Sequence, residues 1–467
     1  MSPASPVGVV GYGAIGSRMA RRLMAAGMRV ISFDIDPERQ EAAQDDGAEP
    51  LEDAAAVGRI CEIIITCVTD ARAVLDCVCG AKGLARRIRT GALVIETTTS
   101  TPDATREAAK VLAERGASIV DAPVSRGVPA AENGTLSIMI GGTESDIALA
   151  ETVLRHLGTD IIPTGPIGTG HIAKAMNMMV MAVNLLALAE AAGLGVSLGQ
   201  DRAHLVESLN DSPAASFMTD NHYRKQVLTE AYASTFTLGL MLKDIRVATG
   251  IARGWNVAAP LGSRAEQIYL MAAARGLAPG DNMRIVPFVE DLAGSGVPSG
   301  PAGQGITDNL AGVLKSAALL STLEAAVVGR EAGLDVERLL KVVNVSSGAS
   351  TMSRALVGEA GGDLPQAGAL IVQVARAVEL ARARRIALPV CSTVFDMLCL
   401  VVGGARDGRL QPNAAYPGRG QSRESPPLRG GESRRTGGRG NLTGAGAGTA
   451  DGWLGAVSDI LCGSPRA

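Results

Sequence analysis

The sequence predicts an α/β domain with a doubly wound, mostly parallel sheet, followed by two tandem all-α domains. Three observations support this fold class. Short apolar runs alternate with helical patterns through residues 1–163. A glycine-rich turn joins the first apolar run to the first helical pattern. From residue 164 onward the patterns are helical, and one stretch of helical sequence occurs twice, in residues 164–294 and 303–404.

Composition limits the class of protein. With 467 residues, the chain is long enough for about two to four domains. A net charge of −3 gives no reason to expect a nucleic acid or a membrane surface as a partner. The seven cysteines lack CxxC spacing, which favours buried thiols in a reducing compartment and predicts no metal site. No signal or transit segment precedes the first strand, so we expect a cytoplasmic location.

The first apolar run, residues 7–10, ends in a glycine-rich turn, Gly11-Tyr-Gly13-Ala-Ile-Gly16. A helical pattern and a second apolar run follow, and the second run ends at Asp34. A strand, GxGxxG, a helix and an acidic residue at this spacing are typical of a Rossmann dinucleotide-binding domain. Because helix N-termini bind phosphates, the sequence predicts cofactor contacts along the turn. These residues are Gly11, Gly13, Ala14, Ile15 and Gly16.

Asp34 also indicates which dinucleotide binds. A carboxylate here can accept both adenosine ribose hydroxyls and repels a 2′-phosphate. The next residue is Ile35, which offers no cation to such a phosphate. The sequence therefore predicts NAD as the cofactor, favoured over NADP.

Polar residues follow several of the predicted strands. Val68-Thr69, Thr97 to Thr99 and Pro123 to Ser125 each come where an apolar run ends. In a doubly wound sheet, ligands bind outside the carboxyl ends of the strands. These segments are therefore expected to lie around the ligand.

A long apolar helix is predicted from Gly168 to about Gly193, with Lys174 in its first turns. Its length raises a transmembrane alternative, but Asn177, Asn184 and Glu190 within it favour a helix buried in protein. Taken alone, Lys174 would be interpreted as an ordinary surface lysine. We interpret Glu190, with an intrahelical partner, and His171, a polar residue at the helix start, as having no part in the chemistry.

In order and spacing, these segments resemble the β-hydroxyacid dehydrogenase family, which includes 3-hydroxyisobutyrate dehydrogenase and tartronate semialdehyde reductase. The resemblance covers residues 7 to about 276. Its motifs here are Gly11-Tyr-Gly13-Ala-Ile-Gly16, Glu96-Thr-Thr-Thr99, Asp121-Ala-Pro-Val-Ser125-Arg126-Gly127, Gly168-Thr-Gly-His-Ile-Ala-Lys174-Ala-Met-Asn177 and Lys243-Asp244.

The resemblance implies a role for each matched residue. Lys174 would be the general acid/base, and Asn177 would orient the lysine or the substrate. Ser125 and Gly127 would hold the substrate carboxylate. The nicotinamide half of the cofactor would contact Val68, Thr69, Thr99 and Lys243.

General chemistry agrees with a lysine in this role. Hydride leaves a carbinol carbon only as its hydroxyl loses a proton, so a positioned base is needed. A lysine desolvated beside another cation, Lys243 or Arg126, would have its pKa lowered toward working pH.

The chain departs from the family at two positions. Arg126 stands where the family usually has glycine, and Met178 where it has a second asparagine. We expect Arg126 to bind a second carboxylate or a hydroxyl-rich tail of the substrate, with a solvent-facing arginine as the alternative.

The sequence thus predicts NAD-dependent oxidation or reduction of a small β-hydroxy acid, similar to 3-hydroxyisobutyrate or 2-hydroxy-3-oxopropionate. One alternative is an imine or ketone reductase on the same scaffold. That class typically lacks the lysine. A second alternative is a non-catalytic NAD-binding scaffold protein, which the intact motifs disfavour.

The predicted domains are residues 1–163, the dinucleotide domain; 164–294, the first helical domain; 303–404, a degenerate second copy; and 405–467, a low-complexity, disordered tail. In the second copy Asp308 replaces Lys174 and Ala311 replaces Asn177, so it has lost the chemistry. We expect either a homo-oligomer or an internal pseudo-dimer, in which the second copy covers the long apolar helix.

Overall fold

In the computed structural model, which describes residues 5–295, 305–359, 364–407, 455 and 457, one nine-stranded sheet forms the centre of the N-terminal part. The mostly parallel sheet predicted from the sequence is confirmed. Its strands are β1 (Val7–Val10), β2 (Val30–Phe33), β3 (Glu49–Pro50), β4 (Ile63–Thr66), β5 (Leu93–Glu96), β6 (Ser118–Asp121), β7 (Val124–Ser125), β8 (Leu136–Gly141) and β9 (Gly158–Gly165).

The strand order is 3-2-1-4-5-6-8-7, with β9 paired to β8. Strands β1 to β6 are parallel, and β1 pairs through Val7 with Val30 on one side and Ile63 on the other. Strand β8 runs antiparallel to β6 and β7. The order of the first six strands is that of dinucleotide-binding sheets, with the ligand crevice where the order reverses beside β1.

Helices cover both faces of this sheet, because the buried strands are apolar on both sides. Helix caps are local: Thr101 accepts the Ala104 N–H and Pro102 occupies the first turn, as predicted. The helices are α1 (Gly16–Ala25), α2 (Pro37–Asp45), α3 (Ala54–Ile60), α4 (Ala71–Cys79), α5 (Pro102–Ala113), α6 (Gly127–Asn133) and α7 (Glu144–Leu154).

The rest of the described chain is helical. A π-helical segment, Met218–Val227, lies among the regular helices, and a 3₁₀ turn occurs at Asn282–Arg284. A further 3₁₀ turn, Leu84–Arg86, belongs to the N-terminal part. The helices are α8 (Thr169–Ser197), α9 (Arg202–Asn210), α10 (Leu238–Gly254), α11 (Pro260–Ala274), α12 (Ile285–Ala293), α13 (Ile306–Glu331), α14 (Val336–Asn344), α15 (Thr351–Ala355), α16 (Ala367–Ala383) and α17 (Pro389–Asp407).

The two long helices α8 and α13 pack against each other at the centre of the helical part. Both are long and apolar enough to span a membrane. In each helix, however, 94% of the most apolar 18-residue segment is buried inside the protein. Their apolar surfaces are therefore already covered by other helices, as expected for core helices.

The helical elements correspond in pairs along the chain. Helices α9 and α14 have the same length at an offset of 134 residues, and aspartates at 201 and 335 cap them. Helices α10 and α16 also have equal lengths, and α11 and α17 both begin with a proline. Ser216 and Ser350, again 134 residues apart, pair with each other in an antiparallel bridge. This correspondence supports the proposed repeat.

Glu190 is not paired within its own helix, so the predicted intrahelical partner is wrong. Its carboxylate accepts the N–H groups of Val390 and Cys391, at the start of α17. Because a helix N-terminus leaves its first N–H groups unpaired, a buried carboxylate can satisfy them from another helix.

Two predicted boundaries also differ. The boundary between residues 163 and 164 falls inside β9, which continues to Gly165 because it pairs with β8 up to Gly141. The boundary between 404 and 405 falls inside α17. Residues 296–304, which include the predicted start of the second helical domain at 303, lie outside the described residues, as does the predicted tail, except 405–407, Gly455 and Val457. Val457 is buried against the helical core.

Candidate active site

The cofactor turn between β1 and α1 is open on the side where a ligand would approach. A Cβ on Gly11 would lie 2.2 Å from the Cys67 carbonyl oxygen, and one on Gly16 would lie 2.0 Å from that of Gly11. Both positions therefore require glycine for close backbone packing. At Gly13 a Cβ would meet only the Arg39 guanidinium, at 3.5 Å, so space remains above the turn. No side chain caps α1, which leaves its first N–H groups for phosphates.

The carboxylate of Asp34 lies beside this turn, at the end of β2. It accepts the Tyr12 N–H at 2.6 Å and the Asp36 N–H at 3.0 Å. A carboxylate has further lone pairs, so ribose hydroxyls can still bind. Arg39 lies 3.7 Å from Asp34 with a half-exposed side chain. It is a cation near the adenosine position that the sequence analysis did not identify.

The start of α8 is fixed by a carboxylate from the sheet. Asp121, the last residue of β6, accepts the N–H groups of Gly168 at 2.7 Å and His171 at 2.9 Å. Gly170 packs so closely on the sheet that a Cβ would lie 2.4 Å from the Met139 carbonyl oxygen. These contacts define where the next turn of α8, with Lys174, lies relative to the sheet.

Lys174 is 6% exposed, and its Nζ lies 3.4 Å from Ser125 Oγ. Burial lowers the pKa of this lysine to about 8, the nearby Asp244 opposes the shift, and Lys243 adds to it. Arg126 plays no part in this shift. A lysine with this pKa exchanges a proton near neutral pH, which is what a general acid/base must do.

Lys243 joins the two sides of the cleft. It donates a hydrogen bond to the Thr99 carbonyl oxygen at 2.8 Å and lies 3.3 Å from the buried Asp244. Thr99 follows β5, whereas Lys243 is on α10, so these two predicted cofactor residues meet across the domains. Val68 lies against the glycine-rich turn, since a Cβ on Gly11 would be 3.3 Å from its Cγ1. Thr69, next to Val68, is exposed.

Arg126 is held by protein groups, and its expected contact with the substrate stays a prediction. Its guanidinium pairs with Asp160 at 2.7 Å and donates to the carbonyl oxygens of Thr135, at 3.0 Å, and Val345, at 2.8 Å. A further bond goes to Thr159 Oγ1. The backbone of Arg126 is left-handed, with φ of 80°, which fits the glycine usual in the family. Ser125 is buried in β7, and Gly127 begins α6 with φ of 71°.

Asn177, one turn beyond Lys174 on the same helix, is fully buried. Its Nδ2 donates to Ser347 Oγ at 3.2 Å, and its Oδ1 accepts the Gly348 N–H at 3.0 Å. Both partners belong to the second helical half. The described hydrogen bonds do not join Asn177 to Lys174.

His171 lies in the first turn of α8, as predicted, and it is buried. Its Nε2 lies 2.7 Å from Glu96 and 2.9 Å from Thr105 Oγ1, with all three side chains buried. Burial disfavours the charged ring, but Glu96 outweighs it and raises the pKa of His171. This cluster links β5 and α5 to the start of α8.

The sequence reasoning gave no role to Asp121 or Asp244, although both stand in quoted motifs. Asp121 could have been noticed because it is a carboxylate at the end of a strand, where it can lie near the start of a helix. Ser347 and Gly348 had no such signal, because they lie 170 and 171 residues from Asn177.

A dinucleotide fold whose cleft holds a buried lysine with a lowered pKa is the architecture of a nicotinamide-dependent oxidoreductase. Comparison with known proteins agrees. Residues 6–165 match the family model described as the NAD binding domain of 6-phosphogluconate dehydrogenase. Residues 168–289 match that described as NAD-binding of NADP-dependent 3-hydroxyisobutyrate dehydrogenase.

The chain is 33% identical to the mitochondrial 3-hydroxyisobutyrate dehydrogenase of Homo sapiens, over 62% of this chain and 87% of that protein. It is 31% identical to 2-(hydroxymethyl)glutarate dehydrogenase of Eubacterium barkeri, over 64% of this chain and 100% of that protein. The protein therefore belongs to the β-hydroxyacid dehydrogenase family, and it is an oxidoreductase that acts on CH–OH groups.

A solved structure of Plasmodium falciparum 6-phosphogluconate dehydrogenase is similar over 85% of this chain and 92% of its own, with a TM-score of 0.65. At 12% identity this likeness shows the fold alone. It extends over more of the chain than the two dehydrogenase relatives do, and so reaches into the second helical half.

Proposed function

We propose that the protein transfers hydride between NAD and a small β-hydroxy acid similar to 3-hydroxyisobutyrate or 2-hydroxy-3-oxopropionate. The observation that carries the proposal is Lys174, buried in the cleft with a pKa of about 8 and 3.4 Å from Ser125. The two relatives named above are dehydrogenases of 3-hydroxyisobutyrate and 2-(hydroxymethyl)glutarate, which are both hydroxy acids.

Each residue has one task in this reaction. Ser125 Oγ and the Gly127 N–H hold the substrate carboxylate, so that the hydroxyl lies at Lys174 Nζ. In oxidation, neutral Lys174 accepts the hydroxyl proton; in reduction, its ammonium returns that proton to the carbonyl oxygen. When bound, the nicotinamide would be the acceptor or donor of the hydride. Burial of Lys174 excludes water and lets its pKa match this exchange.

The cofactor is held by the residues around the crevice. The turn Gly11 to Gly16 receives the pyrophosphate, and Asp34 receives the adenosine ribose. Lys243 and Thr99, already bonded to each other, close the nicotinamide end. Ile35 is 91% exposed and offers no charge to a 2′-phosphate, which supports NAD over NADP.

An assay with a panel of hydroxy acids tests the function. NAD reduction, followed by its near-ultraviolet absorbance, should appear with small β-hydroxy acids and not with amines. Lys174→Ala should lower the rate by roughly a hundredfold to ten-thousandfold, because the acid/base is lost. Its affinity for NAD should stay near the wild-type value, since the turn is unaffected.

Lys315→Ala is the matched control, because Lys315 lies half-buried on the other long helix, α13. It should leave turnover unchanged. A Lys174→Ala enzyme that retains most of its activity would remove this lysine from the mechanism.

We further propose that the second helical half acts as an internal partner and that the protein works in the cytoplasm. Support for the first comes from the packing of α13 on α8. The second rests on composition alone, and a relative named above is mitochondrial.

A further inference from the structure

A loop of the second helical half lies against the active site of the first. This 345–350 loop joins α14 to α15. It bonds to Asn177 through Ser347 and Gly348, and to Arg126 through the Val345 carbonyl oxygen. Residues from three parts of the chain therefore meet beside Lys174.

We propose that the 345–350 loop is a working part of this active site, with Ser347 and Gly348 as positioning residues that hold Asn177. The inference rests on the proposed function. The second half, which has no counterpart of Lys174, would then take part in catalysis at the active site of the first half.

The bond from Gly348 fixes the orientation of the Asn177 carboxamide. Ser347 Oγ accepts from Nδ2, and the Gly348 N–H donates to Oδ1, so the opposite orientation would place the Nδ2 donor against the Gly348 N–H donor. The Asn177 carboxamide is fully buried, and the bond from Gly348 is buried with it, whereas Ser347 is partly exposed. Since Asn177 follows Lys174 by one helical turn, its orientation sets the polar surface next to the lysine.

Gly348 fits Asn177 in a way that a larger residue does not. A Cβ at this position would lie 2.8 Å from Asn177 Oδ1, 3.2 Å from its carbonyl oxygen and 3.3 Å from Val180 Cγ1. Its backbone φ is not among the positive values, so glycine is not needed for conformation. The glycine is needed for the close approach.

The repeat contains a second pair of positions that corresponds to Gly348 and Asn177, with the two halves exchanged. At the offset of 134 residues, Gly348 corresponds to Ala214 and Asn177 to Ala311. The pair that corresponds to Gly348 and Asn177 on the side without the lysine is therefore alanine at both positions, with Ala214 in the first half and Ala311 in the second. Because Ala214 is accommodated in the corresponding loop, alanine is compatible with the fold of this turn. The glycine at 348 therefore serves Asn177.

Arg126 anchors the loop to the α/β domain. Its left-handed backbone is unfavourable for a non-glycine residue. The guanidinium offsets this strain by bonding Asp160 on β9 and the Val345 carbonyl oxygen at the same time. A second contact joins Ser346 Oγ to Ser137 Oγ at 3.3 Å. Ser137 is the cross-strand partner of Ser125, so the loop docks directly behind the serine of the site.

Variants of the full-length protein test the proposal. Ser347→Ala should lower kcat about three- to tenfold, the effect of one lost buried hydrogen bond. Gly348→Ala should lower it about tenfold or more, because its Cβ displaces the Asn177 carboxamide. Ser347→Thr keeps the hydroxyl and should restore most of the rate. NAD affinity and the melting temperature should stay near wild type in all three.

The matched control is Ser212→Ala, in the corresponding loop of the first half. Among the described residues, the Ser212 hydroxyl bonds within its own turn, to the Leu209 carbonyl oxygen and the Ala214 N–H. This variant should leave kcat unchanged.

A double-mutant cycle separates positioning from stability. In an Asn177→Ala background, Ser347→Ala should have no further effect on kcat, because both act through one contact. Additive effects, or wild-type kcat in both Ser347→Ala and Gly348→Ala, would overturn the inference while leaving wild-type turnover, and thus the proposed function, intact.

If no hydroxy acid is turned over by the wild type, amide hydrogen exchange decides the inference separately. Asn177→Ala should speed exchange at Gly348 at least about tenfold, the equivalent of about 1.4 kcal/mol in local opening. Unchanged exchange would show that Asn177 does not hold the loop, and would overturn the proposal.

Discussion

Glu190 and Glu324 occupy corresponding positions on the two long central helices, and each caps a helix of the other half. Glu190 accepts the first N–H groups of α17, and Glu324 accepts those of Leu261 and Gly262 at the start of α11. The exchange is reciprocal, and both carboxyl groups are buried. The interface between the halves is therefore built like the interface of a symmetric dimer, inside one chain.

These two groups should make stability depend on pH. Burial raises the pKa of each from 4.5 to about 7, against the opposing effect of the N–H groups. A native pKa above the unfolded one means that the folded state binds more protons between about pH 4.5 and 7. Their contribution to the free energy of unfolding is therefore full below pH 4.5 and falls as pH rises to 7.

Glu190→Gln and Glu324→Gln should lower the melting temperature, because an amide cannot accept both N–H groups. The difference from wild type should be larger at pH 5 than at pH 8. Glu379→Gln, on the exposed surface of α16, serves as the control and should change neither value. A larger difference at pH 8 would mean that the carboxylates are stabilised as anions in the native state.

The rate should report the pKa of Lys174. Oxidation needs the neutral amine, so kcat/KM should rise with pH through about 8 and level off above it. Reduction needs the ammonium, so its rate should fall through the same range. Profiles in both directions, each measured at fixed ionic strength, test the assignment. Two profiles that rise together would point to another group.

The cofactor preference should depend on Asp34 and Arg39. We expect kcat/KM with NAD to exceed that with NADP by at least about tenfold, since the carboxylate bonds the ribose and repels a phosphate. Asp34→Ser should reduce the difference in kcat/KM between NAD and NADP. In the wild type Arg39 lies 3.7 Å from the Asp34 carboxylate, and in the variant it is free to pair with a 2′-phosphate.

Adding Arg39→Ala to Asp34→Ser should abolish the increase in kcat/KM with NADP. The kcat/KM with NAD should stay similar to that of Asp34→Ser alone. Steady-state kinetics of the wild type and the two variants measure this. A wild-type enzyme that prefers NADP would contradict the role given to Asp34.

Removal of the second half should expose the buried face of α8. A chain truncated after Gly294 lacks α13, which packs along this helix, so its apolar surface needs another partner. We expect aggregation, or a new dimer, by light scattering. Unchanged solubility and a monomeric mass would show that the second half covers nothing essential.

The sequence by itself determined the fold class, the alternation of strands and helices in the N-terminal domain, and the place of the glycine-rich turn. These features depend on short-range patterns: apolar periodicity, capping residues, and glycines where backbones approach. The role of Lys174 was implied by the resemblance to the β-hydroxyacid dehydrogenase family, because the residue taken alone would be interpreted as a surface lysine. Its lowered pKa followed from the expectation that it lies in a cleft, and burial is indeed the main cause.

Only the tertiary structure decided which groups these residues contact. Arg126 bonds Asp160 and Val345, Asn177 bonds a loop about 170 residues away, and Glu190 caps a helix of the other half. Each contact joins residues that are distant in the chain. Local pattern does not encode such contacts, because they depend on how the two helical halves pack on each other and on the sheet.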